Sequence, residues 1–251
     1  MLPTQVMPDS PPPPLSRFAP AALFLDFDGT LVELAEAPGA ISVPGSLTPL
    51  LDRLSSRLDR RLAIVSGRAV EDLRRHLGGC AAVLSGSHGA ELHYGDGRSI
   101  PVSPPPGLAE ARESVRLFAT GGEGLLVEDK PAGVALHYRL APERAEEVDS
   151  FLGTLAGRFG LVLQRGKMVA ELRPEGSDKG AALRRLMAEP PFSGARPVFV
   201  GDDLTDEDAF RAAAALGGQG VLVGPARATA AQWRLDGVAE VTSWLEAAAN
   251  A

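Results

Sequence analysis

The sequence predicts an α/β fold: a doubly wound parallel-sheet core with an inserted α+β cap. Three observations carry this. Short apolar runs that end in turn residues alternate with helix-length amphipathic segments, the pattern of βαβ units. The alternation breaks at Pro104-Pro105-Pro106-Gly107, after which the order helix, strand, strand occurs twice, and it resumes at Asp178. With 251 residues, 45% of them hydrophobic, the chain can bury a real core in one large domain or two smaller ones. The expected division is a tail over 1–18, a core from 19–104 and 175–251, and a cap over 105–174.

Taken in order, Pro3, Pro8 and the run Pro11 to Pro14 predict an extended or disordered tail up to about Phe18. Ala21 to Leu25 is an apolar run closed by Asp26-Phe27-Asp28-Gly29-Thr30, which reads as a buried strand meeting a turn. A loop with Pro38, Gly39, Pro44 and Gly45 follows. Ser46 is positioned to cap a helix over Leu47 to Leu58, with Leu50, Leu51, Leu54 and Leu58 on one face. A strand from Arg61 to Val65 ends in Ser66-Gly67-Arg68, before a helix from Ala69 to Leu77 and a strand from Ala81 to Leu84.

The cap reads as helix (Leu108 to Ala119), strands (Gly124 to Glu128, Gly133 to Arg139), helix (Pro142 to Arg158) and strands (Leu161 to Gln164, Met168 to Leu172). Pro131-Ala132-Gly133 and Arg165-Gly166-Lys167 supply hairpin turns, so a small sheet with helices on one face is expected. The core resumes with a helix from Asp178 to Met187, a strand at Pro197 to Val200, a helix at Thr205 to Leu216 and a strand at Gly220 to Val223. A helix containing Trp244 closes the chain, and Trp233 and Trp244 are expected to pack.

A formal net charge of −7 argues against a nucleic-acid-binding surface, which needs a basic footprint. Cys80 is the only cysteine, so no intrachain disulfide can form, in keeping with a reducing cytosol. No apolar stretch approaches the length of a membrane span, and the N-terminus lacks the pattern of a secretory signal. The expectation is a cytoplasmic monomer with a small-molecule substrate and no membrane or nucleic-acid partner.

The chemistry collects at the ends of the expected strands, where open α/β sheets bind their ligands. Asp26 and Asp28, two apart in an extended chain, point to the same face. Both can ionise there only beside a cation, which suggests a hard, oxygen-ligated metal such as Mg2+. Ser66-Gly67-Arg68 joins a hydroxyl to a turn before a helix, whose free N–H groups can hold phosphate oxygens. Asp178 suits a helix N-cap. Lys179 would then sit in the first turn against the helix dipole, either facing an anionic partner or as an ordinary surface lysine. Asp202 and Asp203 follow an apolar run ending in Gly201, and Asp206, Glu207 and Asp208 come next. The first two are metal candidates; the last three equally suit a helix N-terminus.

In order, these four segments resemble the four motifs of the haloacid dehalogenase superfamily of phosphotransferases. The resemblance implies that Asp26 attacks phosphorus and that Asp28 serves as general acid and then general base. It implies that Ser66 and Lys179 bind phosphoryl oxygens. Mg2+ would be held by Asp26, the Asp28 carbonyl and Asp202. Thr30, Gly67 and Arg68 complete the expected substrate-binding set of the core.

The αββ-αββ insert is similar to the C2B-like caps of sugar-phosphate phosphatases. Ser85-Gly86-Ser87-His88-Gly89-Ala90-Glu91, Glu128-Asp129-Lys130, Leu136-His137-Tyr138-Arg139 and Gly166 to Pro174 resemble segments of the trehalose-6-phosphate phosphatase family. That comparison implies sugar contacts from Glu128, Lys130, Arg139, Lys167 and Glu171, with His88 as a further candidate. His76, His93 and His137 are expected to be structural. Linkers near Ser103 to Gly107 and Pro174 to Ser177 suit a cap that opens and closes. A phosphatase for sucrose phosphate or another sugar phosphate, a phosphohexomutase, and an inactive sugar-phosphate sensor are the competing expectations. The sensor would have lost its nucleophile or acid, whereas Asp26, Asp28, Lys179 and Asp202 are all present.

Overall fold

The structure is a computed structural model that describes residues 7–34, 41–166 and 168–251. These fall into two compact units, Met1–Ile100 with Asp178–Ala251, and Pro101–Ser177. The first part of the chain forms β1 (Ala21–Leu25), α1 (Leu47–Arg57), β2 (Leu62–Val65), α2 (Val70–Leu77), β3 (Val83–Gly86), β4 (Glu91–His93) and β5 (Ser99–Ile100). The inserted unit holds α3 (Leu108–Thr120), β6 (Leu126–Lys130), β7 (Gly133–His137), α4 (Ala145–Phe159), β8 (Val162–Gly166) and β9 (Val169–Arg173). The chain then returns with α5 (Lys179–Met187), β10 (Arg196–Gly201), α6 (Glu207–Ala215), β11 (Gln219–Val223), β12 (Trp233–Leu235) and α7 (Val238–Asn250).

The core unit is an α/β doubly wound sheet in the order β12-β11-β10-β1-β2-β3-β4-β5. It is parallel from β12 to β3, and β4 and β5 extend it as antiparallel strands. β1 lies in the middle, with Phe24 in register between Phe199 of β10 and Ala63 of β2. Alternate residues feed two hydrophobic layers. Leu23, Leu25, Ile64 and Val200 pack with Leu51 and Leu54 of α1, Leu73 of α2 and Leu245 of α7. Ala22, Phe24, Val65 and Phe199 pack with Leu183 and Leu186 of α5 and with Phe210 of α6. A strand covered on both faces must be apolar at every position, which is why β1 reads as an unbroken run rather than an alternating one.

Several expectations change. Ser46 precedes α1 but makes no side-chain capping bond, because it already has helical backbone angles. β4, β5 and β12 are only two or three residues long, too short to leave a period in the sequence. The largest correction concerns the expected tail. Residues 7–18 lie on the core: Pro8 and Pro12 are buried, and Leu15 and Phe18, in a short 3₁₀ turn, join the α1/α7 layer. Backbone bonds fix them, since Arg234 N of the edge strand β12 donates to Ser10 O (2.9 Å) and Trp244 Nε1 to Pro13 O (3.1 Å). Proline lacks an N–H yet keeps its carbonyl, so a proline-rich segment can still accept bonds while covering a sheet edge. The Pro3 and Pro38-Gly39 expectations lie outside the described residues.

The inserted unit is an antiparallel sheet in the order β6-β7-β9-β8. Val134, Leu136, Ala170 and Leu172 meet Ala111 and Val115 of α3 and Val148 and Leu152 of α4, so both helices cover one face. Alternation then turns Glu128, Ala135, Glu171 and Gln164 to the opposite face, where they stand in register as one row across all four strands. β6 runs two residues past its expected end, to Lys130, and β7 stops at His137, leaving Arg139 in the following turn. No helix among the described residues is long and apolar enough to cross a membrane.

Docking of the proline-rich segment predicts a measurable cost for trimming it. Leu15→Ala should lower unfolding stability by about 2–5 kcal/mol, the usual loss for a buried leucine. A thermal midpoint equal to wild type would mean that the segment adds nothing to the core.

Candidate active site

The parallel strands of the core unit end at one edge, and the polar residues of the four motifs gather there. Asp26 directly follows β1, and its N–H donates to Val200 O (2.9 Å) of β10. Ser66 follows β2, and Asp202 follows Gly201 at the end of β10. Lys179 is the first residue of α5, whose N-cap Asp178 accepts from Ala181 N (2.6 Å). Asp178 therefore caps the helix and Lys179 occupies its first turn.

Lys179 is not a surface lysine: it is 3% exposed. Its Nζ lies 2.8 Å from Asp26 Oδ1 and 2.7 Å from Asp206 Oδ1. Burial disfavours its charge, but Asp206 and Asp26 outweigh this and hold the ammonium protonated. Carboxylate oxygens of Asp26, Asp202 and Asp206 lie within 4.8 Å of one another. One ammonium cannot neutralise three carboxylates. Burial, with Asp206 and Asp202 opposing Lys179, accordingly raises the Asp26 carboxyl well above the usual range. Asp202 is pushed up to about 7, first by burial and then by Asp206. This is the deficit that a divalent cation relieves. An all-oxygen donor set fits Mg2+, which Asp26 and Asp202 could hold.

Two glycines allow the close approach. Gly29 has φ +78°, and a Cβ there would fall 2.3 Å from Asp202 Oδ2. A Cβ on Gly201 would fall 2.3 Å from Asp206 Cγ. The Gly-Thr and Gly-Asp-Asp sequences thus let both turns close onto the acidic cluster. Thr30 is fully buried, and its hydroxyl has no hydrogen-bond partner among the described residues.

Asp28 is half-buried and held by Arg68, whose Nε and Nη2 each donate to it at 2.7 Å. Arg68 Nη1 bonds Asp72 of α2 at the same distance. Burial disfavours the charged guanidinium, yet the two carboxylates more than compensate and keep it protonated. Ser66 is buried; its Oγ accepts from Arg68 N (3.1 Å) and its carbonyl from His88 N (3.0 Å). His88 has a left-handed backbone, with φ +55°, and its ring covers Gly67, where a Cβ would meet Nε2 at 2.7 Å. His88 therefore belongs to the Ser66–Arg68 turn.

In the inserted unit, an ion pair and a hydrogen-bonded His–Glu pair lie on the face opposite α3 and α4. Lys130 Nζ bonds Glu171 Oε2 (2.6 Å), and His137 Nε2 contacts Glu128 Oε2 (2.8 Å). Burial raises the Glu128 carboxyl, but the His137 bond and the Lys130 charge outweigh it, leaving the pKa lowered. Arg173 donates to Gln164 Oε1 through Nε (3.2 Å) and Nη2 (2.8 Å), fixing the next side chain in the row. Arg139 is in an exposed turn, apart from these pairs, and Lys167 lies outside the described residues.

Sequence reasoning undervalued one residue. Asp206 suited a helix N-terminus, yet it is wholly buried against Lys179. The signal was its spacing: a 3₁₀ turn over Leu204–Asp206 brings it back toward Asp202. His137, expected to be structural, bonds Glu128 of the neighbouring strand.

A family model described as trehalose-phosphatase matches residues 24–239. Trehalose-6-phosphate phosphatase of Escherichia coli (strain K12) is 40% identical over 232 residues, covering 90% of this chain and 85% of that protein. Among solved structures, the C-terminal domain of C. albicans trehalose-6-phosphate phosphatase superposes with a TM-score of 0.83 at 24% identity, covering 94% of each chain. A haloacid dehalogenase-like hydrolase from Bacteroides thetaiotaomicron shares the fold at a TM-score of 0.67 and 18% identity, covering 89% of this chain and 97% of that one. The matched span runs from within β1 into α7 and takes in all four motif segments, so the chain belongs to the trehalose-phosphatase family and is a phosphoric monoester hydrolase.

Proposed function

We propose that the protein is a Mg2+-dependent phosphatase that hydrolyses trehalose 6-phosphate to trehalose and phosphate through an aspartyl-phosphate on Asp26. The observation that supports this most directly is the buried Lys179 ammonium shared by Asp26 and Asp206. A carboxylate meant to attack phosphorus must sit beside positive charge that can accept the incoming phosphoryl oxygens.

In this reading an Asp26 oxygen attacks phosphorus as the bond to the sugar oxygen breaks. Asp28 gives a proton to that oxygen, and the sugar leaves neutral. Asp28 then takes a proton from water, which attacks the aspartyl-phosphate, releases phosphate and restores Asp26. Lys179 and Ser66 hold phosphoryl oxygens. Arg68 meets the incoming phosphate and, in turning toward it, frees Asp28 for proton transfer. Mg2+, held by Asp26, Asp202 and the Asp28 carbonyl, would supply charge neutralisation at the transferring group. In this reading Glu128, Lys130 and Glu171 of the inserted unit recognise sugar hydroxyls, with Lys167 and Arg139 as further contacts.

Asp26→Asn should abolish turnover without unfolding the protein, because an amide is a poor nucleophile. Asp28→Asn should lose about 10²–10⁴-fold on trehalose 6-phosphate through lost proton transfer. Steady-state phosphate release measures both; wild-type rates for purified Asp26→Asn would rule out the covalent route.

A substrate panel tests the sugar assignment. Trehalose 6-phosphate should exceed sucrose 6-phosphate and glucose 6-phosphate in kcat/KM. Single alanine substitutions of Glu128, Lys130 or Glu171 should cost about 1–3 kcal/mol on trehalose 6-phosphate, since each leaves a polar partner unpaired. The same variants should barely affect a small aryl phosphate. Equal losses on both substrates would make these residues supports of the fold, and preferred turnover of another sugar phosphate would reject trehalose.

A further inference from the structure

An ion pair beside the acidic cluster, with its carboxylate buried and its guanidinium part-exposed, has no part in the chemistry above. Glu207, the first residue of α6, is 6% exposed, and the loop between β11 and β12 engages its carboxylate completely. Thr229 Oγ1 donates to it at 2.6 Å, Ala230 N at 2.9 Å, and Arg227 closes on it through Nη1. Arg227 also donates from Nη2 to Asp203 O (2.9 Å) and from Nη1 to Ala228 O (3.3 Å). On the other side of the same residue, Asp203 N donates to Asp206 Oδ2 (2.9 Å). Both peptide groups flanking Asp203 are therefore pinned, one by Asp206 and the other by Arg227.

A buried ion pair gains little stability over apolar side chains, because desolvation offsets its attraction. Here the planar guanidinium does something an apolar residue could not. It bridges a carboxylate on α6 and a backbone carbonyl in the loop that carries Asp202, using two donors set at a fixed angle. We propose that Arg227, seated on Glu207, is a positioning residue for the metal: it fixes the Asp203 carbonyl and with it the direction in which the adjacent Asp202 presents its carboxylate. The inference rests on Asp202 being a metal ligand. Groups behind a ligand typically change metal affinity by about 10–100-fold when removed.

The test is a titration of the purified, substrate-free protein with Mn2+, followed by electron paramagnetic resonance. Arg227→Ala should raise the Mn2+ dissociation constant about tenfold or more. Its thermal midpoint in EDTA should stay near wild type, and saturating Mg2+ should restore the rate with KM for the sugar phosphate unchanged. Arg227→Lys, which keeps the charge but not the fork, should recover part of the affinity and carries the test if Arg227→Ala fails to fold. Adding Glu207→Gln to Arg227→Ala should cost nothing more, because the two residues act as one clamp. Wild-type Mn2+ affinity in the Arg227 variants, with affinity lost in Asp202→Asn, would overturn the positioning role alone. So would an affinity loss matched by a collapse of the EDTA melt that excess Mg2+ does not rescue. Undiminished Mn2+ binding by Asp202→Asn would overturn the metal reading itself.

Discussion

The Lys179 ammonium is the contact on which the chemical edge of the core depends. It joins the residue after β1 to the 3₁₀ turn that precedes α6, at 2.8 and 2.7 Å, from the first turn of α5. A cation at a helix N-terminus opposes the helix dipole, and burial opposes it further. Both penalties are met only because two carboxylates face it. Removing the lysine would strand those carboxylates, a loss of about 3–5 kcal/mol for a buried pair. Mutual repulsion among Asp26, Asp202 and Asp206 has the same origin as their function. The negative charge excess that raises the Asp26 and Asp202 carboxyls is the excess that a divalent cation is suited to meet.

Much of this could be read from the residues. The core strands had to be apolar on both faces, so Ala21 to Leu25 and Pro197 to Val200 were visible as runs ending in Asp and Gly-Asp-Asp. Asp178 and Lys179 announced the α5 N-terminus through capping chemistry. What the sequence concealed had no period or no local partner. β4, β5 and β12 are too short to alternate. The proline-rich segment has the composition of a disordered tail; only its contacts with Arg234 and Trp244, more than 220 residues away, give it a place. Asp206 looked like a helix-start acid because helix starts favour acids for electrostatic reasons of their own.

The inserted unit divides its labour by the alternation of its strands. One set of side chains builds a hydrophobic layer with α3 and α4, and the other leaves polar pairs on the far face. Between Glu128 and Glu171 the row passes through the small residue Ala135, and each carboxylate has its own partner, His137 for Glu128 and Lys130 for Glu171. His137 and Arg173 hold Glu128 and Gln164 in place through side-chain hydrogen bonds. Family likeness drew attention to Glu128, Lys130 and Glu171; the orienting residues emerge only from the register.

The central claim is that Asp26 carries the phosphoryl group covalently while Asp28 moves protons for both halves of the reaction. An aryl phosphate separates the halves, because its leaving group needs no acid whereas attack by water still needs a base. Asp28→Asn, quenched in acid soon after mixing with labelled aryl phosphate and Mg2+, should therefore hold near-stoichiometric, alkali-labile phosphate on the peptide containing Asp26. Absence of label from that peptide, or equal labelling of Asp26→Asn, would contradict the account.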